Sequence, residues 1–427
     1  MTAMNRRDFL STTTGLAATA ALRAAGQGAE PPLRVGLIGC GWYGGVLLDA
    51  AHKVGGVEVV ALCDVDRRHL KETADKMEQR QGGRRPREHK LYEEMFQAGG
   101  LDVVFIATPP QWHALQFLAA LEAGLHVYIE KPLAYDIREG QAMLRAAEVR
   151  PAQVVQVGFQ RRQSPAFAQA AEAIRAGRIG RVLQADVQIH YTAGVGDTTP
   201  QDPPPDLDWD LWCGPAPKLP YCPQIGHKSW RLEKTTGHGH LVDWGIHLID
   251  ATRRLLGAGV PRRVTASGAL VRLGGRITTP DTMTAVFEFG DTPVVWRHRL
   301  WGAQEFDPDT SNGVFLYGEE GTIFVTDHRW VLVPKGKPAE RVVTEAKADH
   351  AREHMADFLR AVRERRPASC GVREGQESTV AVKLAMIAMD LGRTVAWDEA
   401  RGEAVGDDAR ALMKRDYRPP WRHPWSG

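Results

Sequence analysis

The stretch "LRVGLIGCGWYGG", residues 33–45, constrains this chain more than any other. An apolar strand, 33–38, runs straight into Gly39-Cys40-Gly41-Trp42-Tyr43-Gly44. Glycines at such a turn permit a tight bend, close approach of the backbone to a pyrophosphate, and close packing of the next helix on the strand. The glycine pattern alone is weak evidence, but its context follows as it should. A helical segment comes next, then a second strand, "VEVVALCDVD" at 57–66, and Asp64 falls 20 residues after Gly44. A carboxylate there can accept hydrogen bonds from both ribose hydroxyls, which favours NAD. Arg67 and Arg68 just beyond it can neutralise a 2′-phosphate, so NADP stays open.

Two further apolar strands extend the half-sheet. "LDVVFIATPP" at 101–110 ends in a Pro-rich turn, and "LHVYIEKPLA" at 125–134 ends in Glu130-Lys131-Pro132, with a helical stretch between them. Ligands of open parallel sheets bind at the carboxyl ends of strands. The residues expected to face the cofactor are therefore Gly39, Gly41, Trp42, Tyr43, Gly44, Asp64, Arg67, Thr108, Pro109, His113, Glu130, Lys131 and Gln160.

After "AQVVQVGFQRR" the periodicity changes. A helix near 165–177 precedes an alternating segment, "RVLQADVQIHY", and strands are predicted at 263–272, 283–289, 293–300, 313–317, 321–326 and 329–333. Short turns join the later ones, which implies an antiparallel sheet. A chain of 427 residues is too long for one ordinary core. The division is a segment 1–30, a Rossmann domain 31–153, and a C-terminal α+β domain 154–427 whose helices from about 350 pack back across the junction. The net charge of +2 offers no broad basic field, which sets nucleic acid aside. The run "RQGGRRPREHK" at 80–90 reads as a solvated loop.

The N-terminal "NRRDFLSTTTGLAATAALRAAG" pairs Arg6 and Arg7 ahead of Phe9-Leu10 and a mildly apolar stretch. It resembles a twin-arginine export signal, which implies the export machinery as a partner, a periplasmic or otherwise exported protein, and no stable membrane insertion after cleavage. The five cysteines form no disulfide framework, although Cys213 and Cys222 are near enough in sequence to bridge in an oxidising compartment.

The glycine turn, "ATPPQWH" and "EKPLA", with "VGFQRRQSPAF", "DWDLWCGPAPKLPY", "EHMADFLRAVRERRP" and "DYRPPW", resemble the glucose–fructose oxidoreductase/inositol dehydrogenase/MocA family across residues 33–423. That resemblance implies a predominantly antiparallel second sheet, with one face on helices and the other often an oligomer surface, hence a dimer or tetramer. It also implies a proton-handling group of Lys131, Asp243 and His247, since "DWGIHLID" matches the family's Asp-x-x-x-His signature. Asp243, His247, Asp250 and Arg254 make one helical stripe, which taken alone is more often a solvated face. Oxidising an alcohol needs a base, and histidine titrates at about 6.5 unperturbed. His247 is the expected base, with Lys131 stabilising alkoxide character or itself moving the proton; the residues leave that division open.

His240, Asp243 and His247 also suit zinc, but no recognised metal pattern is present and the implied chemistry needs none, so no metal is expected. "GHGH" departs from the family, which usually carries glycines and an apolar residue there. His238 and His240 are candidates to contact substrate, as are Arg161, Trp230 and Arg231; Arg162 reads as a structural ion-pair partner. The implied function is an exported NAD(P)-dependent oxidoreductase acting on a sugar, sugar derivative or cyclitol. The alternatives are a glycoside hydrolase that works through a transient keto-sugar, and a non-catalytic sugar sensor.

Overall fold

The computed structural model describes residues 30–226, 229–303 and 310–426. The export-signal reading falls on residues outside that set.

Six parallel strands form the first sheet: β1 Leu33–Ile38, β2 Val57–Cys63, β3 Arg87–His89, β4 Val103–Ile106, β5 His126–Ile129 and β6 Val155–Val157. Their order is β3-β2-β1-β4-β5-β6, so direction reverses between β1 and β4. The turns after these two strands flank the crevice where such sheets bind ligands. Both faces are buried, as near-continuous apolar strands require. Val35, Leu37 and Phe105 pack toward helices Trp42–Val54 and His350–Glu364. Val104, Ile106, Val127 and Ile129 pack against Phe117, Leu121 and Met143 on the other side. Phe105 meets Phe358 edge to face at 6.3 Å, and burying one such ring contributes about 1.5–3 kcal/mol. The helix at 350–364 therefore completes the N-terminal domain from the far end of the chain.

Two details differ from the sequence reading. β6 carries the first sheet beyond residue 153. Arg87–His89, inside the run read as a solvated loop, is an edge strand pairing with β2; its Arg and Glu side chains mask the strand signal while suiting an exposed edge.

The second sheet has ten strands in the order β14-β13-β12-β11-β7-β10-β9-β8-β15-β16. They are β7 Val182–His190, β8 Arg263–Ala269, β9 Thr282–Phe289, β10 Thr292–Arg299, β11 Asn312–Gly318, β12 Gly321–Val325, β13 Arg329–Pro334, β14 Val342–Glu345, β15 Val395–Asp398 and β16 Glu403–Ala404. Pairing is antiparallel except for β7 with β10, so the sheet is mixed. The last three strands are short and weakly patterned, and sequence periodicity does not reveal them. Ala185, Val187, Trp296, Val314 and Leu316 face helices Pro165–Arg175, Ile246–Leu256 and Val372–Leu391. On the opposite face Phe315 stacks on Phe324 at 4.4 Å.

Cys213 and Cys222 are buried free thiols. Among the described residues no helix is long and apolar enough to cross a membrane.

Candidate active site

The glycine turn behaves as its spacing demands. Gly39 has φ +95°, and a Cβ there would lie 2.8 Å from the Ala107 carbonyl carbon. At Gly44 a Cβ would sit 1.9 Å from the Gly39 oxygen, so only glycine lets the helix start this close to β1. Gly41 faces open space. Beside it lies a cavity of about 350 Å³ whose wall includes Gly39, Gly41, Trp42, Tyr43, Asp64, Thr108 and Pro109. Asp64 Oδ2 accepts from the Cys40 N–H at 2.6 Å and Oδ1 from the Asp66 N–H at 2.8 Å. Burial pushes this carboxyl up, and those backbone donors oppose the rise. A glycine-walled cavity with an anchored carboxylate at the tip of β2 fits an adenine dinucleotide.

Several expected cofactor residues lie elsewhere. Arg67 turns away from the wall to Asp206, with its Nη2 at 3.0 Å from Oδ1. His113 is fully buried between the two turns, its ring nitrogens 2.8 Å from the Pro132 oxygen and 2.9 Å from the Thr108 oxygen. It ties the turns together behind the cavity. Gln160 is also buried, donating to Glu130 Oε1 at 3.0 Å and to the Tyr128 hydroxyl at 3.1 Å. Burial raises Glu130 to about 7, against the pull of Lys131. The wall also contains Leu211, Trp212 and Trp421, which sequence reasoning missed. They arrive on the short helix Trp209–Cys213 and on the C-terminal tail, both too short or irregular for periodicity to mark them.

Lys131, at the end of β5, meets Asp243 from the second domain. Its Nζ donates to Asp243 Oδ1 at 2.7 Å and to the Asp243 backbone oxygen at 2.8 Å. Arg231 Nε lies 3.3 Å from the same carboxylate oxygen. Burial would raise the Asp243 carboxyl, but Lys131 and Arg231 together hold it below its ordinary value. Asp243 sits in a π-helical turn, Leu241–Gly245, which feeds the α-helix Ile246–Leu256. Such turns re-aim side chains and recur at functional sites. Gly245 permits it, because a Cβ there would come 2.7 Å from the Trp296 ring.

His247 follows one turn later, edge to face with Phe159 at 5.9 Å. Its Nδ1 is enclosed and has no hydrogen-bond partner among the described residues. Burial first, then the Lys131 and Arg161 cations, pull its pKa well below the ordinary value, so the ring is neutral at neutral pH. The remainder of the predicted stripe is structural. Asp250 is buried and receives Arg162 through both oxygens at 2.9 and 2.7 Å.

His238 and His240 do not share one mouth. Gly239 between them has φ +94° and His238 has φ +64°, which turns the two rings apart. His240 is buried, stacks on Tyr191 at 5.8 Å and lies edge-on to His298 at 5.2 Å. Its Nε2 is enclosed without a partner among the described residues, and burial lowers its pKa to about 3. His238 instead stacks on Tyr135 at 5.6 Å and takes Lys383 Nζ on Nδ1 at 2.8 Å. The two rings thus sit in different surroundings: His238 is held by Tyr135 and Lys383 through one face and Nδ1, with its Nε2 enclosed and unpartnered among the described residues.

Arg161 is likewise committed. It pairs with Asp327 through Nε at 2.5 Å and Nη2 at 2.9 Å. Trp230 and Arg231 do line the cavity, with the guanidinium 4.3 Å from the ring centre. Trp244, 40% exposed and 6.4 Å from His247 centre to centre, is an aromatic surface the sequence reading passed over. Among the described residues, the metal-competent side chains that converge within 4.8 Å are Asp136, Glu139 and His423 rather than His240, Asp243 and His247. Arg415 and Tyr417 already occupy the Glu139 carboxylate of that group.

A nucleotide-binding crevice at a strand-order reversal, with a lysine–aspartate–histidine group where a second domain closes on it, defines a two-domain dinucleotide-binding protein of the oxidoreductase type. Residues 33–159 match the oxidoreductase family with an NAD-binding Rossmann fold, and residues 186–423 match that family's C-terminal alpha/beta domain. The chain belongs to this glucose–fructose oxidoreductase/inositol dehydrogenase/MocA family.

An inositol 2-dehydrogenase of Salmonella typhimurium is 31% identical over 164 residues, 38% of this chain and 47% of that protein. The chain thus spans about half the length of the curated relatives it matches. A glycosyl hydrolase family 109 protein of Streptomyces coelicolor is 35% identical over 115 residues, 26% of this chain and 24% of that protein. Among solved structures, an Agrobacterium radiobacter oxidoreductase in complex with NAD+, L-tartaric acid and magnesium shares the fold. Its TM-score is 0.68 at 19% identity, covering 85% of this chain and 98% of that one.

Proposed function

We propose that this protein is an exported NAD-dependent oxidoreductase acting on a hydroxyl or ketone of a sugar, sugar derivative or cyclitol. The observation that carries the reading is the Lys131–Asp243 contact across the domain boundary, with neutral His247 one helical turn away. Gly39, Gly41, Asp64, Thr108 and Trp212 would hold the dinucleotide. When bound, it supplies an acceptor for two electrons and the carbon-bound hydrogen of the alcohol.

The chain's own residues handle the other proton. His247 accepts the hydroxyl proton, while Lys131 places positive charge beside the oxygen as its negative charge develops. Asp243 fixes the Lys131 ammonium from two oxygens and stays ionised because Lys131 and Arg231 surround it. The unpartnered nitrogens of His240 and His247 suit substrate hydroxyls, and the exposed Trp244 face suits the apolar side of a pyranose or cyclitol ring. The Arg6-Arg7 pattern supports export, and the exposed Leu183, Val342 and Val343 on strands of the second sheet support a homo-oligomer.

Native mass spectrometry for a retained dinucleotide, followed by a sugar and cyclitol panel read at the NADH absorbance, tests this reading. Reduction of NAD by at least one panel member is expected. A protein that binds no dinucleotide and reduces none would overturn it.

A second reading is net glycoside hydrolysis through a transient keto-sugar, favoured by the enclosed, unpartnered His240 Nε2 and by the likeness to the family 109 protein. Release of nitrophenol from a chromogenic glycoside without net NADH would select it. Stoichiometric NADH would exclude it. A non-catalytic sensor would show unchanged behaviour in a Lys131→Ala variant.

A further inference from the structure

We infer that Asp206 is a cofactor-specificity residue, acting through Arg67 to make the adenosine end of the cavity reject a 2′-phosphate. This rests on the dinucleotide reading of that cavity and goes beyond it. Arg67 lies three residues past Asp64, where a guanidinium would accommodate the 2′-phosphate of NADP. Its charge is already answered from the other domain: Nη2 lies 3.0 Å from Asp206 Oδ1 and 3.4 Å from the Pro205 oxygen, and its backbone N–H donates to the Asp206 oxygen at 2.9 Å.

Asp206 is delivered by a braced segment. Leu207 forms a bridge with Asp66, and the Asp208 N–H donates to the Val65 oxygen at 3.0 Å. The Asp208 carboxylate caps Leu211 at 3.0 Å and pairs with Lys90 at 2.6 Å. Further along, the Trp212 oxygen accepts from Gln111 at 3.2 Å, which sets Leu211 and Trp212 into the cavity wall. The segment thus spans the β2 turn and leaves a carboxylate beside the one cation that follows Asp64 most closely. With Asp64 inside the wall and Asp206 outside it, a phosphate dianion at the 2′ position meets carboxylates on both sides.

The Arg67–Asp206 pair is exposed, at 72% and 49% of the two side chains. Such pairs contribute little to folding, so removing one partner reads specificity rather than stability. The test is native mass spectrometry of the full chain equilibrated with mixtures of NAD and NADP, which reads the occupancy of each by mass. The Asp206→Ala variant is expected to shift the NADP-to-NAD preference by about tenfold toward NADP. Arg67→Ala/Asp206→Ala is expected to lose that gain. An unchanged preference in Asp206→Ala overturns the proposal, and so does a gain that persists in the double variant, because the phosphate would then be served by another cation. Absence of either dinucleotide from every variant and from the parent would instead remove the dinucleotide reading on which it rests.

Discussion

The Lys131 ammonium donates both to the Asp243 carboxylate and to the backbone oxygen of the same residue, at 2.7 and 2.8 Å, joining residues 112 apart in the chain. One end of this contact follows a strand of the dinucleotide domain, and the other sits in the π-helical turn of the second domain. The site therefore exists only when the two domains are docked.

Loss of either partner should show in both activity and stability. Lys131→Ala removes the cation beside the reacting oxygen, and turnover should fall by about 10²–10³-fold. Asp243→Ala leaves a mostly buried ammonium without its carboxylate, and should cost about 3–5 kcal/mol of stability as well. Steady-state kinetics with the panel's best substrate and thermal unfolding check the two effects separately. Near-parental turnover in Lys131→Ala would remove lysine from the chemistry.

The buried imidazoles predict acid sensitivity. His113, His298 and His354 are pulled to about 4 and His240 to about 3, all chiefly by burial. Unfolded histidine titrates near 6.5, so below that pH the unfolded chain binds more protons than the native one. Their contribution is complete above about 6.5 and is lost as pH falls toward the native values, at up to about 1.4 kcal/mol per imidazole per pH unit. Glu130, raised to about 7, and the raised carboxyls of Asp64 and Glu139 act in the opposite sense, but the lowered imidazoles, His190, His238 and His247 included, outnumber them. Urea midpoints at pH 7.5 and 5.5 should drop clearly at the lower pH; equal midpoints would contradict the burial of these rings.

Two glycines in one turn should respond differently. Gly39→Ala places a methyl against the Ala107 backbone at a φ of +95°, and should cost about 1–3 kcal/mol and abolish dinucleotide retention. Gly41→Ala meets nothing within 4 Å and should fold as the parent does, while its methyl narrows the cavity and weakens dinucleotide binding. Melting temperature and bound dinucleotide, measured together, separate the cases.

His240→Phe keeps the ring shape beside Tyr191 and removes a buried nitrogen that has no partner among the described residues, so stability should hold or rise slightly. If that nitrogen serves a substrate hydroxyl, KM should rise severalfold with dinucleotide binding unchanged. His238→Phe, by contrast, deprives Lys383 of its acceptor and should lower stability without a selective change in KM.

Much of the fold was legible from local pattern. The apolar run into Gly39, the alternation along β7 to β13, and helices at 165–175 and 350–364 follow from periodicity and turn chemistry that each segment carries by itself. The edge strand at 87–89 and the late strands at 342–345, 395–398 and 403–404 were not legible, because short strands borrow their definition from neighbours. Of the site, the motif residues Lys131, Asp243 and His247 were readable, whereas the wall residues Trp212 and Trp421 were not.

The sequence by itself determined a nucleotide-binding half-sheet, a second domain built on a large sheet, and the residue types able to move a proton between them. Tertiary structure alone decided that Asp243 answers Lys131, that Asp206 takes Arg67, and that Gly239 sends His240 toward Asp243 and His238 toward Lys383. The physical reason is one of range. Turns and periods are set by atoms a few residues apart, while charge pairing and ring placement depend on which distant surfaces the packed domains bring within about 3 Å of one another.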